Sequence, residues 1–246
     1  MSSTATAVTV SDTTASPRVV LVTGAGTGIG RATARAFARQ GATVVAVGRR
    51  SDPLRETAAE DPVAIHPHPA DITAEGVPEE LVGAVLAGGG PLGTLDRARI
   101  APLLETNLIA PVLLAQAAVP ALRTSRSVVV NVTTAIGQRG WPSSSVYPAT
   151  KSALETLTRC WAVELAPAGI RVVAVAPGAI ETPIADHMGL TPEQRREIRA
   201  WQAAHTPLGR IGRAEEVAWA VAALAAPEAA FLTGTVLPVD GGALVA

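Results

Sequence analysis

A chain of 246 residues with 48% hydrophobic and 17% charged content can bury a large core, which excludes disorder over most of its length. The 20 basic residues stand against 21 acidic ones, a net charge of -1, so nothing points to nucleic acid or an anionic membrane as the main partner. Met1–Pro17 is rich in Ser, Thr and Ala and lacks the basic start and apolar run of a secretory signal. A flexible tail is expected there. Val19–Val22 then reads as a strand, the glycine-rich Gly24–Gly30 as a turn, and Ile29–Gln40 as a helix. Strands follow at Thr43–Val47, Val63–His66, Ser127–Val132, Arg171–Ala176 and Val236–Val239. Helices are predicted at Pro53–Glu60, Pro78–Ala87, Leu103–Leu122, Val146–Leu165 and Glu215–Ala225. The strands are short, nearly continuous apolar runs, as a sheet covered on both faces requires. The alternation implies an α/β fold: a Rossmann-like, doubly wound parallel sheet flanked by helices, in one domain over residues 18–246.

Two stretches break the pattern. Gly88–Asp96 stands where a strand ought to follow the helix ending near Ala87. Thr182–Gly212 is a long connection containing a short helix, Pro192–Ala204. Its His187, Met188, Leu190 and Trp201 suit either a substrate pocket or a packed lid hinge. Arg195, Arg196 and Arg199 either meet an anionic carrier or form the wet face of that helix. No run of about 18 uncharged apolar residues occurs, so a membrane span is not expected. The lone Cys160 cannot form an intrachain disulfide, and its apolar helical surroundings predict a buried thiol. That agrees with the cytoplasmic location expected here. No metal site is assigned.

The chemistry concentrates at three places. Gly24 ends the first strand where the chain must turn, and Gly28 and Gly30 let a diphosphate approach the exposed N–H groups of a helix start. Thr23, Gly26, Thr27 and Ile29 complete this turn; a purely structural tight turn is the other reading. The second strand runs into Gly48-Arg49-Arg50, with no carboxylate before Asp52. Two guanidiniums suit a ribose 2′-phosphate, hence NADP(H) with NAD(H) as the alternative, unless they are solvated loop charges. Asp71 either accepts from an adenine amino group or caps the following helix. Third, the only tyrosine, Tyr147, stands four residues before Lys151, so both lie on one helix face. A free phenol titrates near 10, and a lysine ammonium beside it favours the phenolate. The Thr133–Gly137 loop before this helix offers hydroxyls to a substrate oxygen. Surface packing with a snorkelling lysine is the plain alternative for an isolated Tyr/Lys pair.

These residues resemble the short-chain dehydrogenase/reductase family, near its 3-oxoacyl-acyl-carrier-protein reductase type. The matching pieces are Thr23–Gly30, Asn107 in Glu105-Thr106-Asn107-Leu108, Tyr147-x-x-x-Lys151, Pro177–Thr182, Pro207–Val217 and Val239-Asp240-Gly241-Gly242. The resemblance spans about Arg18 to Gly242. It implies Tyr147 as acid/base, Lys151 as its partner and Asn107 as the residue that stabilises a helix bend and helps hold a water. It places Thr134, thirteen residues before Tyr147, where the family usually has serine. Pro177, Gly178, Ile180 and Thr182 would border the nicotinamide, with Thr182 on its carboxamide. Tyr147 and Lys151 would also touch the cofactor. Seven parallel strands and a tetramer or dimer, joined through Leu103–Leu122 and Val146–Leu165, are implied as well.

One departure stands out. The family's fourth strand, ending in Asn-Asn-Ala-Gly, has no counterpart between Asp71 and Asn107, a stretch roughly a dozen residues short of a full βαβ unit. Another segment fills the place, or the site is impaired, or the sequence omits residues. The leading expectation is an NADP-dependent oxidoreductase that interconverts a ketone and a secondary alcohol. A non-catalytic, cofactor-binding relative and a lyase or epimerase with the same Tyr/Lys pair are the rivals. A small carbonyl or alcohol is the expected partner, with neither nucleic acid nor membrane.

Overall fold

The computed structural model describes residues 6–10, 18–73, 95–125, 127–138, 145–183 and 191–246. Strands β1 (Thr6–Val10), β2 (Val19–Thr23), β3 (Thr43–Gly48), β4 (Ile65–Pro69), β5 (Val128–Val132), β6 (Arg171–Pro177) and β9 (Val236–Val239) form a seven-stranded sheet in the order β4-β3-β2-β1-β5-β6-β9. Two short strands, β7 (Ile180–Glu181) and β8 (Gly212–Arg213), pair separately in parallel. All neighbours in the main sheet are parallel except β1, which is antiparallel to both β2 and β5.

β1 fills the vacant central position. Thr6–Val10, expected to belong to a flexible tail, instead pairs Ala7 with Val22 on one side and with Val130 on the other. The physical reason lies in the ladder. Without a strand between β2 and β5, their facing N–H and C=O groups would lose their partners, which a buried sheet does not tolerate. Thr-Ala-Val-Thr-Val is largely β-branched and suits a pleated surface. Its direction follows from connectivity, since the short Ser11–Arg18 link can join antiparallel neighbours but not parallel ones, which need a crossover of a dozen or more residues. The expected seven parallel strands are therefore six, with one reversed strand at the centre.

Helix α1 (Gly28–Arg39) packs on α7 (Ala214–Ala225) over one face of the sheet. Helix α2 (Ser51–Ala58) covers the β3–β4 edge. On the opposite face, α3 (Arg97–Leu104) continues through a π-helical turn, Glu105–Ile109, into α4 (Ala110–Ser125), which crosses β1. Helix α5 (Val146–Leu165) lies beside α3 and the π-helical turn, against β6. Helix α6 (Pro192–Ala204) stands in the long connection.

Alternation along the strands divides the core. Val20, Val22, Val128, Val130, Val132, Val173 and Val175 meet Phe37, Val217 and Val221 in one cluster, while Val129 and Val172 join Leu122, Ala162 and Ile170 in another. Each such fully buried side chain contributes about 1.5–3 kcal/mol relative to exposure.

Several boundaries differ from the sequence reading. β4 begins two residues later than Val63, and its Pro67 and Pro69 lie in an edge strand, where missing N–H donors are tolerated. The helix expected at Leu103–Leu122 starts at Arg97, where Asp96 Oδ1 accepts from the Arg99 N–H at 2.9 Å. The combined Arg97–Ser125 segment is long and apolar enough to cross a membrane by length and composition; here it lies along the sheet. Cys160 is exposed, not buried. The buried stripe of α5 runs through Lys151, Leu154, Glu155, Thr158 and Ala162, and Cys160 falls on the other side with Val163. The helix predicted at Pro78–Ala87, the stretch Gly88–Thr94, and His187, Met188 and Leu190 lie outside the described residues.

Candidate active site

At the end of β2, Thr23 is buried and Gly24 turns the chain with φ of 64°. Gly28 opens α1 with φ of 53°, also in the left-handed region. A Cβ on Gly30 would sit 2.1 Å from the Gly24 carbonyl oxygen, so only glycine allows the helix start to close on the strand end. Thr27 precedes the helix in extended conformation, leaving the N–H groups of Gly28, Ile29 and Gly30 in the first turn, without backbone partners inside the helix. Such a terminus favours a negative diphosphate. The turn is pinned from outside. Ala25 N–H donates to Val47 O at 3.0 Å, Thr57 Oγ1 donates to Ala25 O at 2.8 Å, and Arg31 Nε donates to Gly26 O at 2.9 Å. A cradle that excludes side chains, at a helix start, fits the diphosphate of a dinucleotide.

Arg49 and Arg50 are both exposed between β3 and α2. Asp71 Oδ1 accepts from the Thr73 N–H at 2.9 Å and from Thr73 Oγ1 at 2.7 Å. This is a local turn of the Asx type; the segment that Asp71 was expected to cap lies outside the described residues.

Tyr147 and Lys151 occupy the first turns of α5. Tyr147 is half-buried, and Lys151 is buried at 1% exposure. Lys151 Nζ donates to the Val132 carbonyl oxygen at 3.0 Å, at the carboxyl end of β5. Burial pulls the Lys151 ammonium down from 10.5 to about 7. Its charge therefore changes near neutrality in this structure, whereas the sequence reading took the ammonium as given. Asn107 is buried within the π-helical turn, and its Nδ2 donates to Thr150 Oγ1 at 3.2 Å. The helix irregularity implied by the resemblance is thus present at that residue, and π turns recur at functional sites. Thr134 is buried just beyond β5, its Oγ1 3.5 Å from Pro177 O.

β6 ends in Pro177, and Gly178 follows. A Cβ on Gly178 would lie 2.8 Å from Asp240 Cα, so glycine lets the Asp240-Gly241-Gly242 turn close against it. Ile180 pairs with Gly212, which closes the base of the long connection. Thr182 reaches back across the cleft, its Cγ2 within 3.2 Å of where a Cβ on Gly28 would be. The glycine turn and the Pro177–Thr182 segment therefore meet at Gly28 and Thr182. Arg199 pairs with Glu181 at 3.1 Å, the partner that the readings as carrier contact or wet face both left out. Trp201, 42% exposed, stacks on His205 with ring centroids 4.0 Å apart.

One buried group escaped the sequence reading. Glu155 is 6% exposed on α5, and its Oε1 accepts from Thr133 Oγ1 at 3.1 Å and Gln138 Nε2 at 3.3 Å. The available signal was its spacing, one turn beyond Lys151 on the same face.

A family profile described as enoyl-(acyl carrier protein) reductase matches residues 81–243. The 3-oxoacyl-[acyl-carrier-protein] reductase of Thermotoga maritima is 34% identical over 93% of this chain and 98% of its own. The cis-4-hydroxycyclohexanecarboxylate dehydrogenase of Sinomonas cyclohexanicum is 37% identical over 92% and 96%. Among solved structures, the 3-ketoacyl-(acyl-carrier-protein) reductase of Brucella melitensis complexed with NADH superposes with a TM-score of 0.77 at 29% identity, covering 92% of this chain and 96% of that one.

Proposed function

From the premise that this chain belongs to the short-chain dehydrogenase/reductase family, oxidoreductases acting on CH–OH and C=O groups with a dinucleotide on a Rossmann fold, we propose that it interconverts a ketone and a secondary alcohol using NADP(H), with Tyr147 as the proton-transfer group. The reading is supported by Lys151 Nζ on Val132 O and Thr134 Oγ1 near Pro177 O, at the carboxyl ends of β5 and β6, with Tyr147 one turn before Lys151 on α5. Ligands of open α/β sheets bind on that side.

A bound nicotinamide supplies or accepts the hydride. Gly24, Gly28 and the start of α1 hold the diphosphate, Thr182 and Ile180 flank the nicotinamide end, and Arg49 and Arg50 take the 2′-phosphate. In reduction, Tyr147 Oη gives its proton to the substrate oxygen, and Thr134 Oγ1 donates a hydrogen bond to that same oxygen. Lys151, when protonated, favours the phenolate left behind. Asn107 holds the π-helical turn against α5 through Thr150, which keeps the base of the site fixed. We further propose a homo-oligomer built on the α4 and α5 surfaces, where Ile109, Leu113 and Val163 are exposed.

The reversed β1 favours a second reading, a cofactor-binding relative with little turnover. The edge at which the family carries Asn-Asn-Ala-Gly is here bordered by the amino end of an antiparallel strand. A screen of ketones and secondary alcohols, followed by absorbance of the reduced nicotinamide, separates the two. Turnover that falls about 10²- to 10⁴-fold in Tyr147→Phe, with NADP(H) affinity kept, is expected. Tight cofactor binding without turnover on any substrate would favour the second reading, and near-normal turnover in Tyr147→Phe would refute the assigned role.

A further inference from the structure

We propose that Glu155 is a positioning residue that holds the Thr134 hydroxyl in register with Tyr147. The inference rests on the oxidoreductase reading above and adds a residue that reading does not use. Glu155 Oε1 receives hydrogen bonds from Thr133 Oγ1 at 3.1 Å and from Gln138 Nε2 at 3.3 Å. These donors bracket the short segment that carries Thr134. One carboxylate oxygen therefore pins both ends of that segment. Thr133 is held on a second side as well, its N–H donating to Val175 O at 2.8 Å and its Oγ1 lying 3.2 Å from the same oxygen.

The other end of the clamp is α5 itself. Glu155 lies one turn beyond Lys151 and two beyond Tyr147, on the buried face with Leu154 and Thr158. The helix that presents the phenol and the ammonium thus also fixes the loop that presents the hydroxyl. All three groups are mounted on one rigid body, and their spacing does not depend on how the loop would settle alone. A buried carboxylate is costly without partners, and an apolar residue would serve packing beside Leu154 and Ala162 equally well. What the carboxylate adds is the pair of directed hydrogen bonds. Reacting groups displaced by about 1 Å lose about 10²-fold in rate, so a loosened segment should act on kcat before it acts on binding.

The test compares Glu155→Ala and Glu155→Gln, each alone and on Thr134→Val, with a substrate found in the screen above. Glu155→Ala should lower kcat about 10- to 100-fold, with substrate KM and NADP(H) affinity within about twofold of wild type. Glu155→Gln keeps an amide oxygen that can accept from both Thr133 and Gln138, so it should restore most of kcat. On Thr134→Val, Glu155→Ala should cost little more, because the group it positions is gone. Wild-type kcat in Glu155→Ala, a proportional loss of cofactor affinity, or the full loss repeated on Thr134→Val would each overturn the proposal. If Glu155→Ala does not fold, Gln138→Leu replaces it at an exposed position; a lowered kcat at constant KM supports the clamp, and no change overturns it. If the wild type turns over nothing, the oxidoreductase reading fails by itself. Amide hydrogen exchange over residues 134–138 then decides: faster exchange in the variant with β6 unchanged supports the clamp, and equal exchange overturns it.

Discussion

β5 and β1 lie side by side at the centre of the sheet and arrive there by different rules. β5 is Val-Val-Val-Asn-Val, buried along its whole length and parallel to β6. Its carboxyl end delivers the Val132 carbonyl to Lys151 and leads into Thr133 and Thr134. β1 fills its slot backwards, tied to β2 by a link too short for a crossover. The ladder is indifferent to this, since an antiparallel strand satisfies N–H and C=O groups as well as a parallel one. The ligand side is not indifferent. A reversed strand brings its amino end, Thr6 beside Asn131, to the edge where a parallel strand would bring its carboxyl end. Structural repair and chemical equivalence are therefore separable at the switch point of this sheet.

The sharpest way to break the comparison is to remove β1 alone from the ladder. Val8 pairs with Leu21 on one side and Val129 on the other. Val8→Pro deletes a central donor and disturbs both ladders, so unfolding stability should fall by on the order of 3 kcal/mol. Denaturant unfolding checks this. An unchanged midpoint would mean that Thr6–Val10 does not hold the central slot.

On the β5 side the expected effect is smaller and depends on pH. Burial depresses Lys151 from 10.5 to about 7. Below about 7 both folded and unfolded chains carry the proton, and the folded state bears the full cost of the buried charge. Between about 7 and 10.5 the unfolded chain binds more protons, so stability rises with pH, and above that window the cost is gone. Lys151→Met should therefore raise Tm of the cofactor-free protein by roughly 4 °C or more near pH 6, and by less near pH 9. A gain independent of pH would show that the lysine is not desolvated as described.

The smallest effect belongs to the rim of the cleft, away from both central strands. Arg49→Ala should weaken NADP(H) binding roughly tenfold and leave NAD(H) nearly unchanged, as the loss of charge-assisted hydrogen bonds to a phosphate predicts. Titration of both cofactors reads it. Equal losses would make Arg49 a general anchor and not a selector.

Much of the site was legible because its signals are local. The Gly24–Gly30 spacing, Tyr147 four residues before Lys151, and Pro177–Thr182 after a strand each carry their own geometry. In the structure Lys151 meets the end of β5, Thr134 meets the end of β6, and Thr182 meets Gly28 of the glycine turn. Glu155 was not legible, because a carboxylate on an amphipathic helix reads as a solvated face until its partners Thr133 and Gln138 are seen. Cys160 misled for the related reason that polar residues stand on both sides of α5, Lys151, Glu155 and Thr158 on the buried one and Arg159 and Glu164 on the exposed one, so the sequence does not reveal which side meets the sheet.

The order of strands and helices, the dinucleotide turn and the family were determined by the sequence itself, since each depends on residues a few positions apart and on the periodicities of strand and helix. The tertiary structure alone decided what occupies the centre. Thr6–Val10 is a short β-branched run next to Ser, Thr and Pro, and its composition permits a strand without requiring one. It becomes a strand because β2 and β5 leave two unpaired edges on either side of a single gap, and pairing a backbone is a property of the space between strands.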